Sequence, residues 1–354
     1  MDQRLGVARR TVSLGARELV CRLNAHSSSF RKTAENLQRA AQLQASAEQV
    51  RQLVEAEGKA VLKAAQEGKL KPTFTADQCQ TEAGVRRMYL GCDGVKVPTI
   101  TDTEKKLRRQ KVVAKRRGRY GSKRRLRPVK TGTDQRYKEF KIVTFYDEKH
   151  KHCQASITRQ NHRGAELLMR RDARLIRLDR ADEKIANIDG ADWIRHRIED
   201  AKLNLDAIGL DFYHLAENVH KARRLLFAED DPVGHTWAGD LLHTVKHEGY
   251  DACWEKLTQW RATLRSRPKH QAADRLMHYM AERRTMIQYP KFLDRGWQIG
   301  SGPTESLCKT TTARIKGSGM RWDADNAEAV ASLAAMEQSH QWDTYWKTDL
   351  ESPN

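Results

Sequence analysis

Three aspartates close short apolar stretches of this chain: Asp93 after residues 85–92, Asp189 after residues 185–188, and Asp211 after residues 205–210. In an open α/β sheet, ligands gather at the carboxyl ends of the strands, so carboxylates placed there can converge. A glutamate comes much later, in Ile299-Gly-Ser-Gly-Pro-Thr-Glu305-Ser-Leu-Cys-Lys309. Hard cations take oxygen ligands. Phosphodiester cleavage uses two Mg²⁺ ions about 4 Å apart, one activating a water or 3′-hydroxyl and the other steadying the leaving oxygen. Two aspartates and a glutamate on a rigid scaffold would suffice for that chemistry. Each residue also has an ordinary role, because Asp-Gly is a common turn, Asp a favoured helix N-cap, and a first-turn Glu complements the helix dipole. It is the combination that points to a site.

Around this set lie further candidates. Pro303 suits the first helical position, which makes Gly302 the expected N-cap and Glu305 the third helical residue. Glu305, Lys309, Thr312 and Lys316 then follow helical spacing and form one mainly cationic stripe that begins at a carboxylate. Asp211 and His214 stand one helical turn apart and could brace metal ligands or hydrogen-bond near a phosphate. The His150-Lys-His152-Cys153 cluster has zinc-ligand residue types but no second pair, and reads as structural. The six cysteines contain no C-x-x-C pair, which argues for isolated reduced thiols over a zinc ribbon or disulfide framework.

These residues need a scaffold, and the periodicities supply one. Residues 12–70 carry helical spacing, with Ser46 as an N-cap, and have the rhythm of a helix-turn-helix DNA reader or of a plain bundle, so 1–70 is expected as an N-terminal helical domain. Residues 71–84 contain Pro72 and few large apolar residues and read as a linker. From Val85 the texture becomes strand-like, with further strands at 140–146, 153–158, 185–188 and 205–210 and helical patterns between them. A hairpin followed by alternating strand and helix predicts a mixed α/β sheet of the ribonuclease H type over 85–216. Residues 217–296, with Trp237, Trp254 and Trp260 at helical spacing, read as an all-helical insertion whose tryptophans are core rather than a stacking platform. The sheet domain resumes over 297–335 with its last helices, and 336–354 is a tail.

The chain of 354 residues carries 65 Lys and Arg against 46 Asp and Glu, a formal charge of +19, which points to a polyanion such as DNA. No apolar run approaches the ~18 residues of a membrane span, and residues 1–10 lack the apolar core of a secretion signal. A cytoplasmic, nucleoid-associated protein with no membrane partner is expected. Between Lys105 and Lys130 lie fourteen Lys or Arg, including Lys115-Arg116-Arg117 and Lys123-Arg124-Arg125. Such a run reads as an unpacked, phosphate-binding arm between the first two strands, without sequence specificity.

Asp93-Gly94, Asp189-Gly-Ala-Asp192-Trp193-Ile194, Leu210-Asp-Phe-Tyr-His214-Leu, Ile299-Gly-Ser-Gly-Pro-Thr-Glu305-Ser and Lys316-Gly-Ser-Gly-Met-Arg321-Trp322 together resemble the Kra group of bacterial insertion-sequence transposases, over roughly residues 10–335. This group is similar to Mutator-type elements. The resemblance implies an RNase H-like DDE core with a helical insertion before the glutamate. It implies Asp93, Asp189 and Glu305 as the catalytic, metal-binding triad, with Mg²⁺ as cofactor and Mn²⁺ as its substitute, and Asp211 and His214 as an accessory pair. The implied activity is cleavage at the inverted ends of the element and strand transfer into target double-stranded DNA, by a homo-oligomer assembled on DNA. Lys115, Arg116, Arg117, Lys123, Arg124, Arg125, Lys309, Arg314, Lys316 and Arg321 are the expected phosphate contacts. The alternative is a catalytically inactive relative acting as a DNA-binding repressor or architectural protein.

Overall fold

The computed structural model describes residues 12–120, 126 and 128–351. Its strands are β1 (Arg87–Pro98), β2 (Tyr137–Asp147), β3 (Cys153–Thr158), β4 (Glu183–Ile188) and β5 (Ala207–Leu210), in one sheet of order β3-β2-β1-β4-β5. β2 runs antiparallel to both β1 and β3, whereas β1 pairs with β4, and β4 with β5, in parallel. A short turn is enough for the β2–β3 hairpin, while parallel pairs need crossover helices. Three helices come first: α1 (Leu14–Ala25), α2 (Phe30–Ala41) and α3 (Ala47–Gln66). α4 (Asp102–Tyr120) lies between β1 and β2, α5 (His162–Leu175) links β3 to β4, and α6 (Asp192–Ala201) links β4 to β5.

After β5 come α7 (Phe212–Leu226), α8 (Pro232–His247), α9 (Tyr250–Thr263), α10 (Arg267–Glu282) and α11 (Tyr289–Asp294). Then follow α12 (Gly302–Thr312), α13 (Ala324–Gln338) and α14 (Trp342–Glu351). The chain is therefore of the mixed α/β class. Among the described residues no helix is long and apolar enough to cross a membrane.

Both faces of the sheet are covered, which explains why β2 is buried without interruption from Phe140 to Asp147. One core joins Tyr89, Leu90, Ile185 and Leu210 to α5, α6 and the helices after β5. The other joins Val97, Ile142 and Ile157 to Val54 and Val61 of α3 and to Val330 and Leu333 of α13. The backbone of α13 at Ala329 lies directly against Gly58 of α3, where any β-carbon would collide. The N-terminal helices thus share a core with the sheet. So does the stretch expected as a linker, because Phe74, Ala76 and Cys79 are buried and Ala76 donates to the Ile176 carbonyl at 2.8 Å. The expected tail docks as well: Trp342 and Trp346 are buried, and Trp342 Nε1 donates to Glu18 at 2.6 Å.

Two local expectations are corrected. Asp93-Gly94 is not a turn ending a strand; β1 continues to Pro98 because Val95 and Val97 keep the alternation going and pair with Phe140 and Lys138 of β2. The basic run is not an unpacked arm through its first half, where residues 102–120 form α4. Its start is a capping box: Thr101 N donates to Glu104 at 3.1 Å and Glu104 N to the Thr101 hydroxyl at 3.3 Å. Lys and Arg are good helix formers whose charged ends reach solvent, so charge density did not prevent helix formation. Lys105 itself is buried, paired with Asp323 and donating to the Thr131 carbonyl at 3.1 Å. All six cysteines are free and buried.

Candidate active site

β1 and β4 pair from Arg87↔Glu183 to Leu90↔Ala186 and then separate. Asp93 and Asp189 each lie three residues beyond that last pair, so the parallel register brings them to the same level on adjacent strands. Each spends one oxygen on the local backbone: Asp93 Oδ1 accepts from Gly94 N at 2.5 Å and Asp189 Oδ1 from Ala191 N at 2.8 Å. Burial pushes the Asp93 carboxyl above its ordinary range; the charges of Asp189 and Glu305 add to this, while the Gly94 N–H and His214 oppose it. Carboxylates that repel one another in a half-buried cleft are the arrangement a cation relieves.

Glu305 arrives on the first turn of α12, which is capped by Ser301, one residue earlier than the expected Gly302. What seats this helix is Gly91 of β1: a β-carbon there would overlap the Thr304 side chain, and Thr304 in turn hydrogen-bonds Thr144 of β2 at 3.1 Å. Glu305 is exposed, and its Oε1 lies 3.5 Å from His214 Nε2, while His214 Nδ1 lies 3.7 Å from Glu217. Cys308, one turn after Glu305, packs beside Asp93, and its burial and the two nearby carboxylates keep the thiol protonated.

Asp211 does not face the cleft. It is fully buried, and its carboxylate accepts from Tyr213 N at 2.6 Å, from His214 N at 3.1 Å, and from both the backbone N–H and the hydroxyl of Ser301. With its oxygens saturated, it cannot contact a DNA strand. It caps α7, which carries His214, and ties that helix to the loop that launches α12, which carries Glu305. Asp192, on the first turn of α6, is exposed and pairs with Arg195 at 3.6 Å.

The cationic stripe is broken. α12 ends at Thr312, which is buried, and a 3₁₀ turn over Ala313–Ile315 changes the phase. Lys309 and Lys316 are exposed. Arg314 is only 5% exposed and hydrogen-bonds Asn24 Oδ1 at 3.2 and 3.3 Å, so it is not a surface phosphate contact. Arg321 is half-buried and engaged by Glu104. Lys115 and Arg116 are exposed on α4, and Arg117 lies on the same helix. Lys123, Arg124 and Arg125 lie outside the described residues.

Among the described residues no group of three His, Cys, Asp or Glu side chains closes around one point as a metal cage. Mg²⁺ seldom needs one; it is commonly held by one or two carboxylates together with waters and substrate phosphates. The oxygen donors of Asp93 and Asp189 fit that requirement. Sequence reasoning missed Gly91, Thr144, Thr304 and Ser301. A glycine inside a strand pattern signals a close backbone approach and could have flagged the first; nothing in the sequence pairs Ser301 with Asp211.

Fold and site together define a mixed α/β protein with register-matched carboxylates where two parallel strands diverge. No protein-family model matches the chain, and no curated protein matches it in sequence. Among solved structures it is similar to the Drosophila P element transposase strand transfer complex, at 10% identity and a TM-score of 0.29, covering 95% of this chain and 81% of that one.

Proposed function

We propose that this chain is a DDE transposase with an RNase H-like core, which cleaves DNA at the ends of its own insertion sequence and joins the freed 3′-hydroxyl to target DNA. The observation that carries this reading is the shared level of Asp93 and Asp189 on adjacent parallel strands, with Glu305 brought to them by the Gly91–Thr304 packing. Asp93 and Asp189 would hold Mg²⁺, or Mn²⁺ in its place, and Glu305 would complete the set. Bound there, the metal would lower the pKa of the attacking hydroxyl or water and stabilise the leaving oxygen. His214 Nε2, 3.5 Å from Glu305 Oε1, would orient that carboxylate. The exposed cations Lys115, Arg116, Lys309 and Lys316 would neutralise DNA phosphates. Two element ends must be joined, so the working form would be an oligomer on DNA.

The test is nicking and strand joining of supercoiled plasmid with Mg²⁺, comparing the natural protein with Asp93→Asn, Asp189→Asn and Glu305→Gln at matched DNA binding. Loss of both activities in all three supports the triad. Tight DNA binding with no cleavage by the natural protein would favour a DNA-binding repressor or architectural role.

A further inference from the structure

The C-terminal end of α8 carries two histidines four residues apart, His243 and His247, the second of them the last residue of the helix. Side chains at i and i+4 lie on one face of a helix, one above the other. Both residues are exposed, their ring centroids are 4.7 Å apart, and the ring planes are inclined at 42°. Among the described residues neither imidazole makes a hydrogen bond or an ion pair. Other histidines of the chain are engaged: His26 and His278 meet carboxylates at 2.9 and 3.1 Å, and His270 meets the Leu264 carbonyl at 2.8 Å. The charged neighbours of the pair are committed elsewhere, with the Lys246 ammonium 5.6 Å from the Phe212 ring centroid and Glu248 paired with Lys256 at 3.6 Å.

Two imidazoles so spaced can chelate. Zinc bonds a histidine nitrogen at about 2.1 Å and the ring centre lies ~1.1 Å further on, so a metal shared by two rings stands about 3.2 Å from each centroid. Centroids 4.7 Å apart then subtend about 95° at the metal, between the ~90° of square-planar and the ~109° of tetrahedral coordination. The free carbonyls of the last turn also give the helix end a partial negative charge that favours a cation. Asp240, one turn before His243, is exposed on the same helix and adds to it. We propose that His243 and His247 form an open site for a divalent transition metal, Zn²⁺, Ni²⁺ or Cu²⁺, with water in its remaining positions. Imidazole suits these ions, whereas Mg²⁺ prefers oxygen donors, so the site is separate from the Asp93–Asp189 cleft and independent of the DNA reading. No third His, Cys, Asp or Glu closes the set among the described residues. The metal therefore acts as a clamp across the last turn of α8, just before Gly249 turns the chain at a φ of +100°, and not as a buried structural centre.

The test is calorimetric titration of the full chain with Zn²⁺ and with Ni²⁺, in excess Mg²⁺ to occupy the carboxylate cleft. The expected result is a binding event weakened more than tenfold in His243→Ala and in His247→Ala, since even changes behind a metal ligand cost about 10–100-fold. Both positions are exposed, so the variants should fold as the natural chain does. His278→Ala, at another exposed histidine, should bind as the natural protein does. Cu²⁺, the tightest binder of the series, should show paramagnetic coupling to two nitrogens in the natural protein and to one in either variant. Bound metal should also raise the melting temperature of the natural protein above that of the variants. Titrations that the two substitutions leave unchanged, an event lost in His278→Ala, or a copper signal without the paired nitrogens overturns the site.

Discussion

Gly91 on β1 and Thr304 on α12 are packed so closely that a β-carbon on the glycine would overlap the threonine side chain. Because Glu305 follows Thr304, this contact sets how far the glutamate stands from Asp93. Gly91→Ala is expected to destabilise the fold by about 1–3 kcal/mol through overpacking, read as a lower urea midpoint. Any variant protein that remains folded should bind DNA as before yet cleave poorly, since only the stand-off of α12 has changed. Unchanged cleavage at a lower midpoint would separate the packing from the chemistry.

The Asp211 carboxylate has four donors around it and no access to solvent. Asp211→Ala removes the acceptor and leaves those donors buried, so a loss of about 2–4 kcal/mol is expected, somewhat above the ~1.5–3 of a single charged hydrogen bond. Ser301→Ala deletes one donor and keeps the backbone contact, with an expected cost nearer 1 kcal/mol. Equilibrium urea unfolding checks both. A double variant should fall short of the sum of the singles, since the two residues share one interaction.

How much of this was legible in the sequence depends on how local each cause is. β3 was expected at 153–158 and spans Cys153–Thr158, because its alternation and its hairpin turn are contained within a few residues. The end of β1 was misplaced because Asp-Gly reads as a turn unless the partner strand, which lies some forty residues away, is known. α4 was hidden by its charge, although Thr101 and Glu104 carried the start signal. Arg314 was expected among the phosphate contacts, and Lys316 by extending helical spacing past Thr312, where the helix in fact tightens into a 3₁₀ turn that buries Arg314. Asp211 was legible as an N-cap, but its link to Ser301 spans ninety residues and leaves no trace in local pattern.

The raised pKa of Asp93 makes the folded chain hold that proton more tightly than the unfolded chain does. Its contribution to stability is therefore complete below the unfolded value of about 3.9 and is lost as pH rises through the higher folded one. Asp93→Asn, which removes the charge, should raise stability at neutral pH by about 0.5–2 kcal/mol, the range common when functional-site strain is relieved. Thermal unfolding from pH 7 down to pH 4 should show the advantage shrinking. Millimolar Mg²⁺ should raise the melting temperature of the natural protein and leave Asp93→Asn unmoved, because only a state that binds the ion is stabilised. A variant less stable than the natural protein at pH 7 would contradict the electrostatic account.

Arg314 and Lys309 lie five residues apart, yet one is buried between aromatic rings and the other is exposed. Their substitutions should therefore divide by observable. Alanine at Lys115, Arg116, Lys309 or Lys316 should leave the melting temperature nearly unchanged and flatten the plot of log affinity against log salt by about 0.9 for each phosphate contact removed. Arg314→Lys should do the opposite. It keeps the charge but loses the planar group that stacks on Phe30 and reaches Asn24, so stability falls by about 1–3 kcal/mol while the salt slope is retained. Both quantities come from fluorescence anisotropy across a salt series together with thermal unfolding. A reduced slope in Arg314→Lys would return that residue to the DNA surface, and a slope untouched by all four lysine and arginine substitutions would move the DNA track away from α4 and α12.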